Sequence, residues 1–369
     1  MYLRRLKLQN FKNHSFVEFD LCSQVNCLTG LNGIGKTNVL DAIYYLSFTK
    51  SFFNSQDQYA LQHGASWFTI DAELESTAGS NTLKLIYQTG QKKQLLIDQN
   101  EVERFADYIG TVPLIMILPG DIQLIHETAE ARRKLIDSVI ASCNKKYLVN
   151  LMAYNKYLDQ RNKLLRDFAN GITYDESLLS IYNQRLHEYG QLVFEVRKQV
   201  LEAIQSNFHS HYKDISGAKE LAQIVYVSDL HEMDMQTWLA QQSFTDRQAQ
   251  RTTKGIHKDD FLFLLDGFAI KKYGSQGQQK SFVIALKLAL YDYLQAQKGV
   301  QPLLLLDDIF EKLDAKRLSL LIQRISQQAF GQIFITDTHQ QRVADAFASL
   351  PHVQVKYFEI AAFKPTLDR

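Results

Sequence analysis

Cysteine is scarce in this chain and odd in number, with Cys22, Cys27 and Cys143 making up the whole set. They match no metal-ligand spacing and cannot all pair, so reduced thiols in a cytoplasmic protein are expected. Long apolar runs are missing as well. PLIMIL and PLLLL fall far short of a membrane span, and MYLRRLKLQNFKNH carries charge with no apolar segment behind it, so no signal peptide is expected. An excess of one charge is also absent: 41 basic residues face 40 acidic ones. Bulk electrostatics therefore would not hold the protein on DNA or on an acidic membrane, and any nucleic-acid binding must come from a local patch or a switched state. Proline is absent between Pro119 and Pro302, which removes the strongest helix breaker from half the chain.

What is present is an ordinary globular balance, 46% apolar and 22% charged, which excludes a disordered or collagen-like chain. A length of 369 residues suggests two or three domains. VEFDL, FTIDAELE and TLKLIYQ alternate apolar with polar residues and predict half-buried antiparallel strands. VNCLTG is a compact strand that runs into glycines and then into the helical pattern of KTNVLDAIYYL. From Glu130 to Tyr212 apolar residues recur at three- and four-residue intervals with charges between them. This predicts long helices, broken near Gly171 and Gly217, and residues 121–250 are expected to form an inserted helical lobe. After it, SFVIALKLALYDYL, PLLLLDD, AKRLSLLIQRISQQ and QIFITDT alternate helix with apolar strand, the order of a parallel α/β sheet.

Gly30-Leu31-Asn32-Gly33-Ile34-Gly35-Lys36-Thr37 satisfies G-x-x-x-x-G-K-[ST], with a strand before it and a helix after it. The loop, continued by Asn38, is expected to bind a nucleotide. Its backbone N–H groups would curl round the β-phosphate, Lys36 would reach the β- and γ-oxygens, and the Thr37 hydroxyl would ligate Mg²⁺. Such a loop needs a second carboxylate for its metal. LLLLDD supplies Asp307 at the end of a buried strand, and Asp308 where a base or water-positioning group is needed. In YGSQGQQKSF, Ser275 and Gln278 fit an S-x-x-Q capping box. Gly277 in the first helical turn is disfavoured there unless something approaches the backbone closely. A second anion-seeking helix start, beside a P-loop that already has its own, suggests the phosphates of another subunit.

These residues resemble the ABC-type ATPases, whose L-S-G-G-Q signature closes on the ATP of the opposite protomer. By that resemblance Ser275, Gly277 and Gln278 take the Ser, second Gly and Gln places, Gln276 replaces the first Gly, and Leu313 and Asp314 of EKLDAKR look like the D-loop. RLKLQNFKNH, GLNGIGKTNVLDAIYYLS, LPGDIQLIHETAEARRKLID, GIHKDDF, GSQGQQKS and LLLLDDIFEKLD, in that order, are similar to the RecF family of bacterial recombination mediators over nearly the whole chain. The resemblance implies an ATPase head of residues 1–120 and 251–369 with an antiparallel β subdomain. It implies an ATP-dependent homodimer that binds single-strand/double-strand DNA junctions and cooperates with RecR and RecO in loading RecA. Asp308 stands where ABC relatives carry glutamate, so slow hydrolysis is expected. Ile256 and Lys258 stand where the family usually has Pro and Arg, and Phe53 where an Arg is common.

Three groups stay open on the residues alone. His257, Asp259 and Asp260 suggest a metal site, but adjacent acids converge poorly and a structural or interface role is favoured. In FITDTHQQ either Asp337 or His339 could sense a γ-phosphate. Arg132, Arg133, Lys145, Lys146, Arg161, Lys163 and Arg166 form either a solvated face or a DNA-contacting one. A transporter-type ATPase subunit is the alternative function. A GTPase is disfavoured because NKYLD places Asp159 one residue too late for N-K-x-D.

Overall fold

A computed structural model describes all residues except 78, 172, 174, 218, 219, 310–317, 319–321, 324–329 and 361–369. The D-loop pair Leu313 and Asp314 and most of AKRLSLLIQRISQQ lie outside the described residues. By contacts the chain divides into two units, Met1–Asp121 with Leu294–Arg369, and Ile122–Tyr293.

The first unit contains two sheets. Alternation along Tyr2–Phe11 (β1) buries Leu6 and Leu8 while Arg5 and Lys7 stay partly exposed. His14–Asp20 (β2), Trp67–Ser76 (β4), Gly79–Gln88 (β5), Gln94–Ile97 (β6) and Asn100–Glu101 (β7) complete a six-stranded sheet of order β2-β1-β4-β5-β6-β7. All its pairings are antiparallel, as the two-residue periodicity predicts. Val25–Thr29 (β3), Leu114–Ile117 (β8), Leu303–Leu306 (β12), Ile333–Asp337 (β13) and Val355–Glu359 (β14) form a parallel sheet of order β14-β3-β13-β12-β8. Strands β3, β8, β12 and β13 are buried at every residue, as unbroken apolar runs require of a sheet covered on both faces. The helix Lys36–Phe48 buries Val39, Leu40, Ala42, Ile43, Tyr45 and Leu46 in a core shared with Leu6 and Leu8 of β1 and Leu303 and Leu305 of β12. The helix is therefore anchored along most of its length, and its N-terminus is a rigid platform.

In the second unit the long helices are Ala129–Cys143, Lys145–Ala169 and the 41-residue Glu176–Ser216. The last starts where the Asp175 side chain accepts the Leu178 N–H and stops at Gly217 in the left-handed region, φ 60°. The breaks expected near Gly171 and Gly217 are present. Among the described residues of 121–250 the helical pattern is interrupted by a strand at Ala222–Val227 (β9). Ala222, Ile224 and Tyr226 are buried while Val225 and Val227 are exposed, so here the period is two, in a β-branched run after the helix-ending glycine. β9 pairs antiparallel with Asp260–Leu265 (β10), which pairs with Phe268–Ala269 (β11). Among the described residues no helix is long and apolar enough to cross a membrane.

Candidate nucleotide-binding site

The Gly30–Gly35 loop leaves the C-terminal end of β3 and enters the helix Lys36–Phe48 through backbone that L-residues avoid, with φ 144° at Gly30 and 110° at Gly35. Close approach reinforces the choice. A Cβ on Gly35 would lie 2.3–2.7 Å from the Asn13 amide group, and one on Gly30 would lie 2.8 Å from the Ile360 carbonyl. The β1–β2 turn clamps the loop from outside. Asn13 Nδ2 donates to the Ile34 carbonyl at 2.5 Å, Asn38 Nδ2 donates to Asn13 Oδ1 at 2.7 Å, and His14 Nε2 meets the Gly35 carbonyl at 3.0 Å. A carbonyl only accepts, so His14 carries its proton on Nε2. Burial lowers the His14 pKa, against a smaller upward effect of that hydrogen bond. In a trans peptide the C=O and the following N–H point opposite ways. Pinning the Ile34 carbonyl outward therefore turns the Gly35 N–H toward the concave side of the loop, while the Gly35 carbonyl also accepts the Asn38 and Val39 N–H groups of the helix.

Lys36 is only 4% exposed. Its Nζ donates to the carbonyls of Gly30 at 2.7 Å and Leu31 at 3.0 Å, so the ammonium lies folded into the loop it would share with a phosphate. Thr37 Oγ1 donates to Asp307 Oδ1 at 2.9 Å and approaches Oδ2 at 3.1 Å. The structure thus joins two residues 270 positions apart: one starts the P-loop helix and the other ends β12. A hydroxyl beside a carboxylate at the C-terminal edge of a parallel sheet is a hard-oxygen donor set, which fits Mg²⁺. Asp308 follows with φ 45°, and its N–H donates to Thr336 Oγ1 at 2.9 Å.

Asp337 is fully buried at the end of β13. Its Oδ1 accepts the His339 N–H at 2.8 Å and lies 3.3 Å from Arg342 Nη1, whereas the His339 side chain is exposed. The carboxylate of Asp337 is therefore committed to the turn that presents His339.

Ser275, Gln276, Gly277 and Gln278 belong to the second unit and open the helix Gln276–Lys298. The capping box closes in both directions. The Ser275 N–H donates to Gln278 Oε1 at 2.7 Å, and the Gln278 N–H donates to Ser275 Oγ at 3.3 Å. Ser275 and Gln276 are exposed. Gln278 Nε2 donates to Glu220 Oε1 at 2.8 Å, which holds the side chain away from free rotation. Behind it the buried Gln279 meets His126 at 3.0 Å and donates to the Gly274 carbonyl at 3.1 Å.

His257, Asp259 and Asp260 do not converge. His257 Nε2 donates to the Thr252 carbonyl at 3.1 Å, so its Nδ1 accepts the Tyr154 hydroxyl at 2.8 Å. Burial pushes its pKa down to about 4. Asp259 takes Arg197 at 3.0 Å and the Tyr226 hydroxyl, while Asp260 takes Arg132 at 2.7 and 2.9 Å. Among the described residues no group of three or more His, Cys, Asp or Glu side chains suited to a metal ion occurs. The same contacts correct the reading of the basic helices as one exposed face. Arg132 is spent on Asp260 and Arg133 on the Asp259 carbonyl, and Arg161 is fully buried against Asp246 at 2.7 Å. Lys145, Lys146, Lys163 and Arg166 remain exposed.

Sequence reasoning missed Asn13, His14 and Thr336. The first two stand in RLKLQNFKNH, where no spacing ties them to a loop twenty residues away. Thr336 sits one residue before Asp337 in FITDTHQQ and reads as an ordinary strand threonine.

The sequence profile of the RecF/RecN/SMC N terminal domain family matches residues 2–357. The DNA replication and repair protein RecF of Flavobacterium johnsoniae is 46% identical over 360 residues, 98% of this chain and 100% of that protein. The chain belongs to the RecF family. Another member, the RecF of Parabacteroides distasonis, is 37% identical over 352 residues, covering 95% of each chain. A solved structure of the recombination mediator protein RecF-ATPrS in the RecFOR pathway superposes with a TM-score of 0.87 at 28% identity, covering 98% of this chain and 96% of that one. The Smc head domain of Pyrococcus furiosus shares the fold, with a TM-score of 0.53 at 16% identity over 93% and 91% of the two chains. This RecF-family chain therefore has the SMC-like ABC ATPase head fold, mixed α/β, with an antiparallel sheet, a parallel sheet and a long helical insert.

Proposed function

We propose that this RecF-family protein is an ATP-dependent DNA-binding protein of recombinational repair and replication restart, and that ATP joins two copies of it. The observation that carries the reading is the Thr37–Asp307 contact at 2.9 Å beside the folded-in Lys36, because it assembles a P-loop and its metal carboxylate from opposite ends of the sequence. The support from related solved structures is that they include RecF-ATP and RecF-ATPrS of the RecFOR pathway. In this proposal Gly30 to Asn38 bind ATP, and Thr37 and Asp307 hold Mg²⁺, which neutralises phosphate charge when bound. Asp308 orients the attacking water. Its carboxylate is one methylene shorter than the glutamate of ABC relatives, which suits the slow turnover of a switch.

Ser275, Gln276, Gly277 and Gln278 act on the ATP of the second copy. Their support is the exposed, doubly capped helix start, whose N–H groups and partial positive charge favour an anion. His339, presented by Asp337, is the γ-phosphate sensor in this reading. Residues 1–120 and 251–369 are the functional head and 121–250 the inserted lobe, although by contacts the chain rejoins the first unit only at Leu294. Binding at single-strand/double-strand junctions, work with RecR and RecO in loading RecA, and a cytoplasmic location complete the proposal.

Light scattering with and without ATP on the wild type, Ser275→Arg and Lys36→Ala tests it. ATP should double the mass of the wild type only. Normal dimerisation of Ser275→Arg would remove the action in trans, and failure of the wild type to dimerise would remove the ATP-gated dimer. Binding to gapped and blunt duplexes across a salt series, with ATP and without, tests the DNA reading.

A further inference from the structure

Between the two candidate aspartates lies a hydroxyl that no motif assigns. Thr336 is fully buried in β13. A threonine hydroxyl has one proton and two acceptor lone pairs. Here the proton goes to Asp307 Oδ1 at 2.7 Å, and a lone pair takes the Asp308 N–H at 2.9 Å. Asp307 is thus held by two hydroxyls, Thr37 from the P-loop helix and Thr336 from the neighbouring strand.

The local backbone explains why a side chain is needed there. The Asp307 N–H still joins the β12–β8 ladder, donating to the Ile117 carbonyl at 3.0 Å. At Asp308 the chain leaves the ladder with φ 45°, a conformation sparsely populated outside glycine, though aspartate tolerates it better than most residues. A backbone in that state persists only when its surroundings over-determine it. The bond to Thr336 Oγ1 replaces the lost ladder bond and marks where the turn begins. Threonine suits the task better than serine, because its β-branch restricts χ1 and aims the hydroxyl in advance.

We propose that Thr336 is a positioning residue, whose single hydroxyl couples the orientation of the Asp307 carboxylate to the turn that aims Asp308. The carboxylate proposed for the metal and the one proposed for the water are then set by one buried group, and neither can be reoriented alone. This inference rests on the ATPase reading above, because the two carboxylates matter together only if a metal-assisted attack takes place between them.

Thr336→Val keeps the shape and deletes both hydrogen bonds, and Thr336→Ser restores the hydroxyl. Three measurements on the full chain decide the matter. The first is hydrogen exchange at the Asp308 amide without nucleotide, where Thr336→Val should exchange at least tenfold faster than the wild type and Thr336→Ser close to it. The second is steady-state ATP hydrolysis. Here kcat should fall about tenfold in Thr336→Val, the worth of one well-made hydrogen bond, while KM moves less than twofold and the Mg²⁺ concentration for half-maximal rate rises. The third is the melting temperature, which separates a general loss of fold from loss of positioning, since rescue of kcat by Thr336→Ser at an equal Tm cannot come from stability. Unchanged Asp308 exchange in Thr336→Val would show that the bridge does not exist. A wild-type kcat in that variant, or a loss in KM instead of kcat, would overturn the positioning role. A wild type that neither binds nor hydrolyses ATP sinks the ATPase reading and the positioning role with it, and the exchange rate then still reports the bridge separately.

Discussion

Replacing Gly35 by alanine tests the P-loop geometry most directly. At φ 110°, ψ 12° an L-residue pays roughly 1–2 kcal/mol of backbone strain. The new Cβ would also lie 2.3–2.7 Å from the Asn13 amide group, so Asn13 must swing away. In doing so it gives up its bond to the Ile34 carbonyl and the one it accepts from Asn38, each worth about 1 kcal/mol. The expected total is roughly 3–4 kcal/mol. The chain has two tryptophans, Trp67 in β4 of the first unit and Trp238 in the second. In a Trp238→Phe background, Trp67 fluorescence during urea denaturation therefore reads the unit that matters. The double variant Asn13→Ala, Gly35→Ala relieves the collision but not the strain, so the two changes should couple by about 1–2 kcal/mol. ATP affinity should fall at least tenfold in Gly35→Ala, because the Ile34 carbonyl is no longer pinned outward by Asn13. A loss under about 0.5 kcal/mol, or strict additivity with Asn13→Ala, would refute the clamp.

Four further outcomes are expected. Asp246→Ala should cost about 3–5 kcal/mol in the second unit, because it strands the fully buried Arg161 guanidinium; a double replacement by leucine and methionine at 246 and 161 should recover most of that in the same melt. His257 titrates near 6.5 when unfolded but near 4 when folded, owing to burial. The unfolded state therefore binds the proton first, and stability present above pH ~6.5 is lost as pH falls towards ~4, by about 3 kcal/mol in all. The slope should flatten in His257→Gln, and an unchanged slope would deny the assignment. Lys36→Ala should leave the melting temperature within a few degrees of wild type while abolishing ATP-induced scattering, and removing Mg²⁺ with EDTA should stop phosphate release from the wild type.

Much of the chemistry follows from local pattern. G-x-x-x-x-G-K-T after a compact strand, LLLLDD, and S-x-x-Q before an apolar run each act over a few residues, where spacing translates directly into geometry. The capping box is a case in point, since both its bonds join Ser275 and Gln278. Long-range partners were beyond such reasoning. Arg132, Arg133 and Arg161 carry the same charge in sequence as Lys145 and Lys163, and only the packing of Asp246, Asp259 and Asp260 against them turns them inward. The strand Ala222–Val227 has its alternation, but its short period was overrun by the helical composition around it.

By itself, then, the sequence determined the alternation of helix and strand, the glycine-rich loop between strand and helix, the aspartates at the end of a buried strand and the capped helix start. These are set by steric and hydrogen-bonding rules that operate within one turn or one strand. Tertiary structure decided which side chains complete them: Asn13 and His14 on the loop, and Thr336 between the aspartates. A hydroxyl or an amide has no preferred partner until a fold brings one within about 3 Å; the parallel sheet does so for Thr336 by placing β12 and β13 side by side, and the β1–β2 turn of the antiparallel sheet does so for Asn13 and His14.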